Sequence, residues 1–474
     1  MRRFKQKIFA LAVAVTLVVD ASAFSLMGPF ASWQTAAIGY NLPGDVGGPM
    51  TLSEDYRITV PVLNYGFDGT FLSFFGANGV AAVNAAMAIL NAVPAASAMT
   101  DSYLAAATTQ AVGPPNAIAG GLGILDLKSA VLSTVLGQMG LASPERWAFT
   151  LRDRSIIGIR TNYTVVQRNY DPITLLPTHI VNSKLYTYNV VEPANPPLGT
   201  YADAVETQVG GALVTSGNNN LSVAGVSDLG GLSSGQFFTS LTRDDLGGLR
   251  YLLRFNNVNT ETLDANVTLV DTRSPYAPYL GTNAQTNLPV ILARRPGIDK
   301  VSFNPIALDS LLGIVVGAVT NRYVDQYFNP TNNVLTKQTV QRVVNLPDIL
   351  FAAGDLPPLV LGGSLSGATL VRPTSTRWVN NSALPGNTVA GGAAILSGPG
   401  VIPAALSNAT AIVIEFNTLG ASRSQTSQAG RSVFLNEEGG IRNGVWGYFN
   451  ASEIFSVFPD GLTIQNLERQ LYGP

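Results

Sequence analysis

The chain contains no cysteine, one histidine and few charges, with Asp, Glu, Lys and Arg together at 12%. Without cysteine there are no disulfides, thiolate metal sites, iron–sulfur clusters, cysteine nucleophiles or lipid on an N-terminal cysteine. With one histidine, every Ser-His-Asp arrangement and every imidazole metal site must pass through His179. That residue lies in Thr178-His179-Ile180, entering an expected strand with no serine or acid pattern beside it, and reads as a strand-surface histidine. The charged share is about half that of an ordinary globular chain, whereas glycine (47) and proline (28) are plentiful. Solvated helices need Lys, Glu and Arg on their outer face, so Asn, Thr, Ser and Gly in their place favour strands and turns.

What is present begins with an export pattern. Arg2, Arg3, Lys5 and Lys7 precede an apolar run over residues 8–19, and Ala21-Ser22-Ala23 supplies small residues for cleavage. The run is shorter than the roughly 20 residues a membrane-spanning helix needs. The expectation is a signal peptide over residues 1–23 and a secreted protein, extracellular or on the cell surface, with no membrane span after cleavage. The formal net charge of −2 becomes more negative once these four basic residues and Asp20 leave. Such a protein has no global attraction for nucleic acid or anionic lipid.

A length of 474 residues with 46% hydrophobic content implies two or three domains with a sizeable core. One stretch occurs twice. Residues 156–167 read I-I-G-I-R-T-N-Y-T-V-V-Q and residues 315–326 read V-V-G-A-V-T-N-R-Y-V-D-Q. Gly158/Gly317, Thr161/Thr320, Asn162/Asn321, Val165/Val324 and Gln167/Gln326 are identical at one offset. Asn219-Asn220 and Asn380-Asn381, then Gly230-Gly231 and Gly391-Gly392, follow in the same order. This collinearity predicts an internal duplication. The expected fold is mainly β with a helical N-terminal region. Two tandem antiparallel β-sandwich domains, jelly-roll-like, follow it.

The boundaries expected are 24–142 for the helical region, 143–289 for the first sandwich and linker, 290–456 for the second, and 457–474 for a C-terminal tail. Helices are predicted over 78–93 and 126–139, the latter with Asp126 as N-cap and Gly140 as C-cap. Strands over 164–170 and 178–191 read as one hairpin, and strands over 323–328 and 334–344 as another around Asn329-Pro330. Residues 249–256 alternate like a strand, and residues 462–471 read as a short terminal helix.

Three segments carry a resemblance. They are Arg295-Pro296-Gly297-Ile298-Asp299-Lys300-Val301-Ser302-Phe303 with Leu312-Gly313, Asn345-Leu346-Pro347-Asp348-Ile349-Leu350-Phe351, and Tyr65-Gly66-Phe67-Asp68 through Asn91. Together they resemble uncharacterised secreted bacterial proteins over about a third of the chain. The resemblance implies export and brings no assigned activity or catalytic residue.

The remaining signals for chemistry are thin. Gly231-Leu232-Ser233-Ser234-Gly235 spells G-x-S-x-G, but the histidine comes earlier in the chain and glycines precede the motif, so a turn is the better reading. Asp228-Leu229-Gly230-Gly231-Leu232 recurs as Asp245-Leu246-Gly247-Gly248-Leu249 beside Asp244. Calcium is the one cofactor such oxygens admit, and tight turns explain them more economically. Glu415 with Glu437 and Glu438 could form a glycosidase pair. Trp147, Trp378, Trp446, Tyr448 and Phe449 could stack on sugars or pack in a core. No residue is assigned to catalysis, cofactor or metal. The expected function is a secreted structural protein assembling with itself into an extracellular filament, tube or surface layer. The alternatives are a module binding cell-surface polysaccharide and a carboxylate-based hydrolase.

Overall fold

The computed structural model describes residues 23–28, 33–38, 48–52, 57–158, 160–192, 202–209, 223–224, 233–263, 266–270, 288–309, 314–317, 319–353, 378–379, 412–416, 422–428, 431–433 and 445–472. Strand β1 (Phe24–Gly28) is followed by strand β2 (Val62–Phe67), helix α1 (Gly69–Ala92) and helix α2 (Leu127–Gln138). The middle carries strands β3 (Thr150–Ile157), β4 (Arg160–Val166), β5 (Lys184–Val191) and β6 (Asp203–Gln208), then helix α3 (Arg243–Leu253). Next come β7 (Asn259–Thr262), β8 (Val267–Leu269), β9 (Leu292–Arg295) and β10 (Ser302–Pro305). Strands β11 (Val319–Phe328), β12 (Leu335–Val344) and β13 (Ile349–Ala353) lead to β14 (Ile412–Phe416), β15 (Ser422–Gln428) and β16 (Arg431–Val433). Strand β17 (Val445–Tyr448) and helix α4 (Ile464–Tyr472) come last. Strands predominate and fall into several separate sheets.

Helix α1 starts where Asp68 accepts from the Phe71 amide at 2.9 Å and the Thr70 hydroxyl at 2.5 Å, a side-chain N-cap. It begins at Gly69, well before the expected Asn78, because Gly76 is a kink inside it rather than a stop (φ 54°, ψ −152°). Asp460 fills the kink: its amide donates to Phe74 O at 2.8 Å, and its carboxylate accepts from Asn78 Nδ2 at 3.0 Å. A Cβ on Gly76 would stand 2.1 Å from Asp460 Oδ2, so only glycine fits. By length and composition α1 is apolar enough to cross a membrane. Here its Phe71, Phe75, Val83, Met87 and Leu90 are buried in the main core. Helices α2 and α4 form close to where periodicity predicts, and Asp126 caps α2 through the Ser129 amide at 3.0 Å.

Helix α1 covers a six-stranded sheet of order β10-β2-β13-β14-β15-β16. The first four strands run parallel, with Phe303 beside Leu63, Tyr65 beside Ile349 and Phe351 beside Ile414; β15 and β16 are antiparallel. Every residue of β13 is buried, the unbroken apolar run that a strand covered on both faces requires. This sheet therefore corrects the expectation of purely antiparallel pairing. It also draws β2, from the segment expected to be a helical N-terminal region, between strands from beyond residue 290. A second sheet, β7-β9-β11-β12-β8, is antiparallel throughout. Its β11–β12 hairpin forms where the sequence predicts one but is longer, running unbroken from Val319 opposite Val344 to Phe328 opposite Leu335 rather than starting at residue 323. Asn333 closes the turn at φ 55°.

Two expected strands are corrected. Strand β4 pairs with β3 before it, not with 178–191; β5 pairs instead with β6 and with the short strand Ile180–Val181. Residues 249–256 do not extend: most of them lie in α3. The local signal that prevails is a capping box in which Thr242 and Asp245 bond reciprocally, ahead of Leu246, Leu249, Leu252 and Leu253 at helical spacing. Asp245–Leu249, expected as a tight turn, is thus the helix's first half. Gly248 lets it pack closely, since a Cβ there would come within 2.6 Å of Leu141 and 3.4 Å of Phe24 on β1.

The repeated stretch can be compared directly. Gly158 and Gly317 both have positive φ, 64° and 80°, and both stand in open space just before a strand. The strands before them differ: β3 pairs with β4, whereas Ile314–Val315 pairs with Leu308–Asp309. Since left-handed backbone costs a non-glycine residue about 1–2 kcal/mol, Gly158→Ala and Gly317→Ala should each lose about that much stability in urea unfolding. A loss at only one position would show that the two turns are not equivalent.

Candidate functional site: a buried arginine–carboxylate junction

The chain passes twice from the antiparallel sheet into the parallel one, from β9 into β10 and from β12 into β13, and returns between these crossings from β10 to β11. Buried charge gathers at both crossings. In β11 and β12 alternate residues face inward, which puts Asn321, Asp325, Gln338 and Arg342 on the covered side with Val340 and Val344.

At the first crossing Arg295, the last residue of β9, holds Asp325 at two points, Nε to Oδ1 at 2.8 Å and Nη2 to Oδ2 at 3.1 Å. The rest of its guanidinium donates to main-chain oxygens: Glu261 at 2.7 Å, Val290 at 2.6 Å and Ile291 at 3.0 Å. Gln338 adds a donor to Asp325 Oδ2 at 2.7 Å. Arg57, fully buried, pairs with the Glu261 carboxylate and donates to Pro296 O at 2.8 Å and Ile58 O at 3.1 Å. At the second crossing Arg342 pairs with Asp348, one position before β13, and also donates to Val62 O at 3.3 Å. Asp348 Oδ2 accepts from the Asn64 amide at 2.9 Å. Three guanidiniums thus join β2, β7, β9, β11, β12 and the approach to β13.

Isolated ions at such depth are costly, by several kcal/mol each. The five-donor guanidinium fork offsets this by satisfying a carboxylate and several carbonyls from one side chain. Burial still pushes the Glu261 carboxyl up, to about 7, against the pull of Arg57 and Arg295. Burial likewise raises Asp126 to about 6 against Lys128 and the donors Ser129 and Phe449. A general acid or base has to reach a substrate proton. Glu261, Asp325 and Asp348 are buried beneath their guanidinium partners, so this arrangement fastens rather than reacts.

The residues singled out from the sequence do not converge. His179 is half-buried, its ring 5.6 Å from that of Phe149 and its Nδ1 3.2 Å from Gln167 Nε2. Glu415 is buried within β14, with Arg423 opposite on β15. Glu437, Glu438, Asp228 and the motif's first residues, 231–232, lie outside the described residues, and Ser234 and Gly235 form a turn. Asp245 uses its carboxylate on the amides of Thr242, Val223 and Ala224 and on the Thr242 hydroxyl. Among the described residues no three His, Asp or Glu side chains are grouped to hold a metal ion. Trp147, Trp446 and Phe449 are buried, with Trp446 edge-on to Phe416 at 5.4 Å, whereas Tyr448 is half-buried; Trp378 lies on a short strand, Trp378–Val379, and its side chain is outside what the structure describes.

Sequence reasoning missed Arg57, Glu261, Asp325, Arg342 and Asp348. A readable signal existed in β11 and β12: Asp325 and Arg342 share the parity of Tyr327 and of Val340 and Val344, the inward set.

Glu261 titrates with a defined sign. Its folded value lies above its ordinary 4.5, so its contribution to stability is complete below about pH 4.5 and is lost as pH rises through about 7. Wild type should therefore lose up to about 1.4 kcal/mol per pH unit relative to Glu261→Gln between pH 5 and 7. Parallel stability curves for the two proteins, measured by urea unfolding, would refute the assignment. For the second crossing, Asp348→Ala strands a buried guanidinium and should cost about 3–5 kcal/mol; a change in midpoint too small to resolve would mean that Arg342 is solvated.

No protein family, no curated protein and no solved structure matches this chain.

Proposed function

We propose that this is a secreted structural protein that assembles with copies of itself outside a bacterial cell into a filament, tube or surface layer. One observation supports the reading most: the two turns of the repeated stretch carry apolar, β-branched side chains into solvent at matching positions. Ile157, before Gly158, is 66% exposed, and Val316, before Gly317, is 60% exposed. Val324 on β11 is exposed as well, so the second site continues onto its strand, whereas the matching Val165 is half-buried. Two related adhesive points on one chain form contacts that need not close on a dimer and so can propagate. Strand β4 adds to this. Among the described residues it pairs only with β3, which leaves a strand edge able to accept another chain.

The duplication belongs to the same proposal. Tandem β-units present quasi-equivalent faces, here confined to the ribbons around residues 158 and 317 because β2, β13 and β14 form one parallel sheet. Export rests on the basic start, the short apolar run and Ala21-Ser22-Ala23. The resemblance to secreted bacterial proteins points the same way. Polysaccharide binding has less to stand on, because a ring that stacks on sugar needs a free face and Trp147 and Trp446 are buried. The hydrolase reading asks a buried Glu415 to meet Glu437 across a sugar.

Negative-stain microscopy and sedimentation of the purified mature protein test the proposal. The expected outcome is a polymer that Ile157→Lys with Val316→Lys reduces to monomer while the thermal midpoint is kept. A wild-type chain that stays monomeric at the highest attainable concentration, or a double variant that polymerises equally well, refutes it.

A further inference from the structure

Strand β1 enters the core at a place prepared for charge. Ala23, next to β1, is completely buried and packs with Ala148, Val181 and Tyr186. Its amide donates to Asp244 Oδ1 at 2.9 Å, and Asp244 Oδ2 accepts from the Asn182 amide at 3.1 Å. Asp244 is 1% exposed, in the first turn of α3. Asn182 is itself buried at φ 41°, and neither Oδ1 nor Nδ2 of its side chain has a hydrogen-bond partner. Buried polar groups of that kind are rare and mark a place where a partner is missing. Glu145 is buried nearby and accepts from Ser143 at 3.1 Å.

The expected cleavage follows Ala23. Hydrolysis of the Ala23–Phe24 bond by a leader peptidase adds water across it; the carboxylate leaves with Ala23, and the Phe24 nitrogen becomes an amine that takes up a proton. The neutral donor now 2.9 Å from Asp244 Oδ1 departs with the leader. The new cation forms one residue on, a Cα step of about 3.8 Å. Phe24 is held there by Tyr170 and Tyr251, with ring centroids at 6.1 Å and 5.6 Å, and by its pairing with Tyr170.

We propose that Asp244 is the buried counter-ion of the Phe24 α-ammonium, so that removal of the leader replaces an amide hydrogen bond by an ion pair and fixes β1 in the core. The Asn182 side-chain oxygen, buried without a partner on the residue whose amide also bonds Asp244, is left free to accept a further ammonium hydrogen. An ammonium at such depth survives only beside a carboxylate. Maturation then increases stability through one charge. The inference rests on the export reading for its cleavage point, not on assembly.

The test separates the two. A chain released from a fusion so that it starts at Phe24 is compared with the full chain and with the same mature chain acetylated at the Phe24 amine. The free-amine form should melt several degrees above both, and Asp244→Asn should erase the difference. Its amine should also react at least tenfold more slowly with an acetylating reagent in the native protein than in urea. Equal melting of the free and acetylated forms, or an amine that reacts equally fast in both states, overturns the proposal. If Asp244→Asn does not fold, the amine-protection measurement on the wild-type sequence decides. N-terminal sequencing of protein recovered from outside the cell tests export independently: a start other than Phe24 removes the cleavage point, whatever the amine does.

Discussion

Arg57, Arg295 and Arg342 bury their positive charge where two sheets exchange strands, and most of the remaining packing has to accommodate them. Each lies at a point where the chain leaves one sheet for the other or where a third segment is clamped between them. A guanidinium in that position is a directional fastener: it reaches carbonyls on one strand and a carboxylate on another, and it is satisfied only when both are in register. The same depth that makes each ion expensive makes a misregistered arrangement more expensive still, because an unpaired charge would be left behind. The antiparallel sheet is therefore held to the parallel one by a small set of geometrically demanding contacts, with apolar area filling in around them.

The segment between β9 and β10 carries this demand in its backbone. Pro296 O accepts from Arg57. Gly297 lies so close to the end of α3 that a Cβ would stand 2.1 Å from Arg254 O. Asp299, at φ 65°, turns the chain and accepts from Ser97 through its amide at 2.7 Å and its hydroxyl at 2.9 Å. Phe303 then exchanges two bonds with the Asn91 side chain, at 2.8 Å and 2.9 Å, which ties β10 to the end of α1. Arginine, glycine and aspartate within a few residues each answer a different constraint, and all three constraints arise at one crossing.

Elements with a strong local cause were legible in the sequence. Asp126 and Gly140 bracket α2 because a carboxylate can cap amides and glycine can take φ 102°. The β11–β12 hairpin is legible because Asn329 and Asn333 can form its turn. Elements decided by distant partners were not. Strand β2 meets β13 only after a long excursion, and nothing in Val62–Phe67 announces that its neighbours will be parallel. Helix α3 misled through Gly247 and Gly248, which weaken helix propensity and exist for closeness, one to Pro172 and the other to Leu141. Asp325 and Arg342 misled because a charge in a strand is normally at the surface. The segments quoted for the resemblance, far apart in the chain, meet in space, since β2 pairs with both β10 and β13.

This chain has few charged residues for its length, and it sends Arg57, Glu261, Arg295, Asp325, Arg342, Asp348, Asp244, Asp245 and Asp126 inward. That allocation has a physical consequence for any surface the protein uses. Charges at an interface must shed water before they are covered, and apolar or amide-rich surface sheds it more cheaply. Ile157 and Val316 are exposed apolar side chains, and Arg160 stands opposite Ile157 across its turn. The ion pairs inside supply the register that a protein without disulfides must find elsewhere.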